Sequence, residues 1–273
     1  MKVNSMSQHQ HTAQYITDQL LTALQPYAQK LMSKPPQGEL QKRQLLRATL
    51  NTLPPFTLSE QETALLDDLL QQELAVKSVT TIDALPTLVR FGKADVKLWQ
   101  GDITRLAADA IVNAANKELQ GCFQPLHSCI DNAIHSASGV RLRDDCAVII
   151  KAQGQFEETA KAKITSGYNL PCQYVLHTVG PIVQGNVTGE HQKLLQLCYE
   201  NCLALADQTL GINSIAFCCI STGVFGYPQK PAAQAAVRAV QQWLLNNPNS
   251  NIDTVIFNTF KPEDTRLYQQ FLQ

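Results

Sequence analysis

From Val96 onward the chain alternates short apolar runs with helical periodicities, and that alternation restricts it to one class of architecture. Strand-like runs occupy Val96–Gln100, Ala110–Asn113, Ala162–Thr165, Tyr174–Val179, Ser214–Ile220 and Thr254–Phe257. Helical patterns fall roughly at Cys129–Ala137, Asp145–Gln153, His191–Leu210, Pro231–Asn246 and Pro262–Leu272. Short runs this rich in β-branched and other apolar side chains suit strands covered on both faces. Strands separated by helices give an α/β domain of three layers. Ligands in such folds sit at the carboxyl ends of strands, in the loops that precede helices.

The first third reads differently. Residues 1–11 are polar and read as frayed. From Thr12 to Met32, Ile16, Leu20, Leu24, Tyr27 and Leu31 recur at helical spacing, with Pro26 expected to kink or end the helix and Pro35-Pro36 closing the segment. A second helix is expected over Glu39–Leu50, before Pro54-Pro55. A third starts at Ser59, which with Glu62 forms a capping-box pair ahead of Leu65, Leu66, Leu69 and Leu70. A looser connection with Thr80-Thr81 and Pro86 follows. We therefore divide the chain into a helical extension, 1–90, and an α/β domain, 91–273. The extension's apolar stripes need a partner surface, and the following domain is the obvious one.

A formal net charge of −1 argues against a broad nucleic-acid-binding surface, so an anionic ligand has to be held by local devices. The N-terminal MKVNSMSQHQ has no apolar core of signal-peptide length, and no run approaches the ~20 apolar residues of a membrane span. Of eight cysteines, six (Cys146, Cys172, Cys198, Cys202, Cys218, Cys219) sit among apolar residues, as buried free thiols do. We expect a cytoplasmic protein with reduced thiols and no membrane association.

Chemistry concentrates in Asp109–Gly139, DAIVNAANKELQGCFQPLHSCIDNAIHSASG. Cys122, His127 and Cys129 offer three soft or borderline metal ligands within eight residues. Zinc takes such donors, four in structural sites and three plus an open position in catalytic ones. The competing reading is two buried cysteines and a surface histidine. Asp131 and His135 share one helix face, either as a capping pair or as a carboxylate aimed at a pocket. The loop Ser221-Thr222-Gly223-Val224-Phe225-Gly226-Tyr227 lies between a strand and a helix opening near Pro231. It is either an anion cradle of backbone N–H groups or a plain glycine turn, and it lacks the Gly-Lys-Ser/Thr ending of a triphosphate-binding loop. Asp102, in Gly101-Asp102-Ile103, could accept from a nucleobase amine or cap the next turn. Cys198 and Cys202 read as core, and His177 as structural.

Taken together, LWQGDITRLAADAIVNAAN, YVLHTVGP and STGVFGYP resemble the signature segments of the macrodomain family, the ADP-ribose-binding fold, over about residues 90–273. The resemblance implies a three-layer α/β/α macrodomain with a mixed central sheet. It assigns the adenine to Asp102 and Ile103, with Phe260 as a stacking aromatic. The diphosphate and distal ribose fall to Ser221–Tyr227, and Asn113 and Asn116 lie beside the distal ribose. Where hydrolytic members carry a glycine run followed by Val-Asp-Gly, this chain has Gly121-Cys122-Phe123-Gln124-Pro125-Leu126-His127-Ser128-Cys129-Ile130-Asp131. That departure is similar to the zinc-dependent microbial protein-ADP-ribose hydrolases, which also carry an N-terminal helical extension. The implied function is removal of mono-ADP-ribose from protein side chains, with one zinc ion per chain on Cys122, His127 and Cys129. Asn116 and Asp131 are the implied catalytic residues. A lipoylated carrier protein modified by a sirtuin-type transferase is the substrate implied by resemblance alone. The alternatives are a non-catalytic ADP-ribose-binding module with structural zinc and a deacylase of O-acyl-ADP-ribose.

Overall fold

The computed structural model describes residues 12–273; the stretch 1–11, read above as frayed, lies outside them. The chain opens with four helices, α1 (Ala13–Ala23), α2 (Gln25–Leu31), α3 (Gly38–Thr52) and α4 (Glu60–Ala75). The helix is interrupted beside Pro26 as expected: α1 ends at Ala23, and Pro26 lies in the first turn of α2, where a missing N–H costs nothing. The Ser59–Glu62 capping box at the start of α4 forms in both directions. Ile16, Leu20, Leu46, Leu53, Leu66 and Leu69 meet in a small core of their own.

Beyond the helices come β1 (Thr80–Thr81), β2 (Thr87–Phe91), β3 (Ala94–Gln100), β4 (Leu106–Ala107) and β5 (Ala110–Ala115). Then follow α5 (Ile130–Ser138), α6 (Val140–Gln153), β6 (Ala162–Ser166), β7 (Tyr174–Val179) and α7 (Gly189–Gln208). The chain ends with β8 (Ser214–Phe217), α8 (Gln229–Asn246), β9 (Thr254–Thr259) and α9 (Pro262–Phe271). Seven strands form one sheet in the order β2-β3-β9-β8-β5-β7-β6, and β1 pairs with β4 apart from it. Neighbours from β3 to β7 run parallel, while β2 and β6 are antiparallel edges, so the sheet is mixed. The parallel run brings the carboxyl ends of β3, β9, β8, β5 and β7 to one side.

Two segments differ from the sequence-based expectation. The stretch before Val96, read as a connection, contains β2, which folds back on β3 through a turn where Gly92 takes φ +61°. The run Ser214–Ile220 leaves the sheet after Phe217; Cys218 and Ile220 remain buried at the base of the next loop, so their apolar character reflects burial without strand pairing.

The extension is joined to the α/β domain by polar contacts as well as packing. Arg143 of α6 donates to the carbonyls of Leu50 (2.9 Å), Leu53 (2.6 Å) and Asn51 (3.1 Å), satisfying the end of α3. Its Nε reaches Gln120 O at 2.8 Å. Arg141 pairs with Asp67 of α4 at 2.6 Å, and Phe56 N donates to Asp144 at 2.7 Å. Among the described residues no helix is long and apolar enough to cross a membrane.

Candidate functional site

The loops at the carboxyl side of the sheet hold nearly every residue singled out from the sequence. After β3, Asp102 accepts from Thr104 N at 3.0 Å and Thr104 Oγ1 at 2.7 Å, so one oxygen caps the short turn Ile103–Arg105. The exposed carboxylate keeps its other oxygen clear of that cap, and Ile103 is buried beneath. Next to it, at the end of β9, Phe260 stands 74 % exposed. Asn258 Nδ2 donates to Gly101 O at 3.0 Å and ties the two loops together.

After β8, the chain makes a closed turn in which Tyr227 N donates to Ser221 O and Gly226 N to Gly223 O, both at 3.0 Å. Ser221 takes φ +66° and Gly226 φ +70°. Among the described residues the N–H groups of Gly223, Val224 and Phe225 have no acceptor, and the buried Ser221 Oγ and Tyr227 OH have no partner. Unpaired donors ahead of α8 are what an anion cradle would offer. The segment after β7 supports it from the side: Val183 N donates to Phe225 O at 2.8 Å, and a Cβ on Gly180 would land on Ser221 Oγ. Gly180 and Val183 went unassigned in the sequence, where only the resemblance of YVLHTVGP marked the segment.

At β5 the site turns inward. Asn113 is fully buried and its Nδ2 donates to Asp131 Oδ1 at 2.8 Å. Asn113 also faces Nδ1 of His177, its register partner on β7, at 3.3 Å, while His177 Nε2 meets Thr165 Oγ1 at 2.9 Å. Burial holds His177 down at about 4, so it is a neutral, structural imidazole. Burial pushes the Asp131 carboxyl up to about 7, against the opposing pull of the Asn113 hydrogen bond and the Arg143 charge. His135 Nε2 lies 3.5 Å from Asp131 and is kept well below its usual range, chiefly by burial. Asn116 is committed locally, its Nδ2 donating to Gly121 O at 3.0 Å and its Oδ1 accepting from Glu118 N at 3.1 Å.

The half-buried Cys122, His127 and Cys129 bring their ligand atoms within 4.8 Å of one another, with Cys122 Sγ 3.4 Å from His127 Nδ1. Two sulfurs and an imidazole nitrogen so gathered fit zinc, which binds such donors at about 2.0–2.3 Å. Among the described residues no fourth Cys, His, Asp or Glu joins the trio. His135 stays apart from it, packed beneath Gly121, where an added Cβ would lie 2.8 Å from the ring. His135, Cys146 and His177 also converge, but fully buried, and both His177 nitrogens already face Asn113 and Thr165.

Residues 112–236 match the family model for the macro domain. A protein-ADP-ribose hydrolase of Treponema medium is 45 % identical over 237 residues, covering 87 % of this chain and 90 % of that one. A protein-ADP-ribose hydrolase of Staphylococcus aureus strain MRSA252 is 47 % identical over 229 residues, 83 % of each chain. Among solved structures, the Trypanosoma brucei macrodomain in complex with ADP-ribose superposes with a TM-score of 0.64 at 31 % identity, covering 83 % of this chain and 95 % of that one.

Proposed function

The chain belongs to the macro domain family, and from that premise we propose that it is a zinc-dependent hydrolase that removes mono-ADP-ribose from modified proteins. Relatives named for protein-ADP-ribose hydrolysis and similar over most of their length support the reaction. The observation that supports the metal-dependent form is the gathering of Cys122, His127 and Cys129 in the loop that leads into α5, whose first turn carries Asp131, a buried carboxylate bonded to Asn113.

In this reading Asp102 and Ile103 receive the adenine and Phe260 stacks on it. The Ser221–Tyr227 loop takes the diphosphate on its free N–H groups, with Ser221 Oγ and Tyr227 OH as further donors. That remote binding fixes the anomeric carbon of the distal ribose at the β5 end of the site. Asn116, through its bond to Gly121 O, sets the turn that carries the ligand loop past that ribose. Asp131 orients the attacking water and takes its proton as the new C–O bond forms and the bond from the anomeric carbon to the protein side chain breaks. Zinc, when held by Cys122, His127 and Cys129, supplies Lewis acidity that polarises an oxygen or lowers the pKa of a water towards ~7. The same proposal extends to substrate and setting: a lipoylated carrier protein modified by a sirtuin-type transferase, in a cytoplasm that keeps the eight cysteines out of disulfides.

Cys122→Ala tests the proposal, with zinc content, ADP-ribose binding and ADP-ribose release measured together. Loss of zinc and turnover with binding retained is expected; full activity in verified zinc-free protein would overturn the metal role. ADP-ribose binding with no release from any modified protein would instead favour the non-catalytic module, to which Asn116's local commitment lends support.

A further inference from the structure

We infer that the N-terminal helical extension is a working part of the site, and that Asn51 at the end of α3 is a positioning residue for the loop of Cys122, His127 and Cys129. The inference rests on the proposed zinc reading and adds to it what shapes the ligand loop.

Between Gly121 and Cys129 the loop has no regular structure. Leu126, immediately before His127, adopts φ +54°, a left-handed conformation that a non-glycine residue keeps only when its surroundings impose it. Its side chain does not anchor it, being 45 % exposed. Its backbone does: Leu126 N donates to Asn51 Oδ1 at 3.0 Å. Asn51 is itself 3 % exposed, and its Nδ2 donates to Ser136 Oγ on α5 at 2.9 Å. One side chain of the extension thus connects the residue before a ligand with the helix that carries Asp131.

Asn132 fastens the rest of the loop. Its Nδ2 donates to Gln124 O at 3.1 Å and reaches Cys122 O at 3.5 Å, and its own N–H points at Cys129 Sγ at 3.4 Å. Arg47, again from α3, donates to Asn132 Oδ1 at 3.2 Å. Each of the three ligands is therefore oriented, directly or through an adjacent peptide, by a group that α3 holds or touches. Outer contacts of this kind set metal affinity, and losing one typically weakens binding 10–100-fold.

The test uses the full chain and reads zinc affinity by competition with a chromophoric chelator, alongside thermal midpoint and amide exchange at Leu126. Asn51→Ala is expected to bind zinc 10–100-fold more weakly and to exchange the Leu126 amide faster. Asn51→Asp, which keeps the acceptor, is expected to restore most of the affinity. Ser136→Ala, which cuts the far end of Asn51 and a 3.2 Å bond to Asn132 Oδ1 but leaves the Leu126 N–Asn51 bond in place, should weaken zinc binding clearly less than Asn51→Ala does. Wild-type affinity in Asn51→Ala would overturn the inference, as would equal weakening in all three variants that merely follows the thermal midpoint. If the wild-type chain takes up no zinc, the zinc reading fails first and the inference falls with it.

Discussion

Arg143→Met is the perturbation that most directly measures how the two parts of the chain are joined. Arg143 is 5 % exposed and its guanidinium donates to four backbone carbonyls, those of Leu50, Asn51, Leu53 and Gln120. It also lies 4.5 Å from the centroid of the Phe123 ring. Methionine keeps an unbranched apolar stem and removes every donor, leaving the four carbonyls without this partner. At ~1 kcal/mol net for each lost bond, the loss is about 4 kcal/mol. Desolvation of the cation offsets part of the gross interaction, which is why the higher figure for charged donors does not apply. For a chain of this size that corresponds to roughly 8–16 °C in thermal midpoint. Urea unfolding followed by circular dichroism, with the m-value fitted, gives the free energy. Arg143→Lys should recover less than half, since one ammonium cannot serve a fork of acceptors on two segments. A loss below about 1 kcal/mol at unchanged m would refute the reasoning, because so small a change is no more than one ordinary hydrogen bond contributes.

Burial holds His177 down at about 4 against 6.5 in the unfolded chain, so the unfolded state takes the proton first. Its contribution is complete above pH ~6.5 and is lost as pH falls towards about 4, on the order of 3 kcal/mol in all. His177→Gln should flatten that part of the pH–stability curve, and identical slopes in the two proteins would contradict it; Asp131, whose raised carboxyl has the opposite sign, is common to both. Gly180→Ala should weaken ADP-ribose binding about tenfold by calorimetry, in line with the ~1–3 kcal/mol of overpacking, because the new methyl displaces Ser221. Leu69→Ala, fully buried in the extension's own core, should cost about 2–5 kcal/mol in urea unfolding.

Much of this fold is legible in the sequence because its strands are short, apolar and punctuated, and Tyr174–Val179 has the same limits in both. β2 is hard to read from the sequence because its apolar residues Leu88, Val89 and Phe91 do not alternate, and Leu88 is exposed although it lies in a strand. The run to Ile220 was overextended because buried loop residues and buried strand residues have the same composition. At the site, spacing was enough to gather Cys122, His127 and Cys129, which are close along the chain. It did not reveal that Asn113 is wholly inside, bonded to Asp131, or that Asn116 braces its own turn. Those facts depend on which way a side chain points at the end of a strand. Nor could Asn51 or Arg143 be found, since their partners are 75 to 93 residues away in the contacts that matter and nothing local marks them.

The carbonyl row that Arg143 closes also bears on how such chains can be recombined. A crossover near residue 90 would respect the boundary suggested by sequence, yet it would separate Leu50, Asn51 and Leu53 from the cation that serves them. It would also separate Asn51 from the Leu126 amide. A hybrid that takes its helices from one parent and its sheet from another must therefore inherit matching partners at both points. The helices and the sheet form one hereditary unit, despite having separate apolar cores.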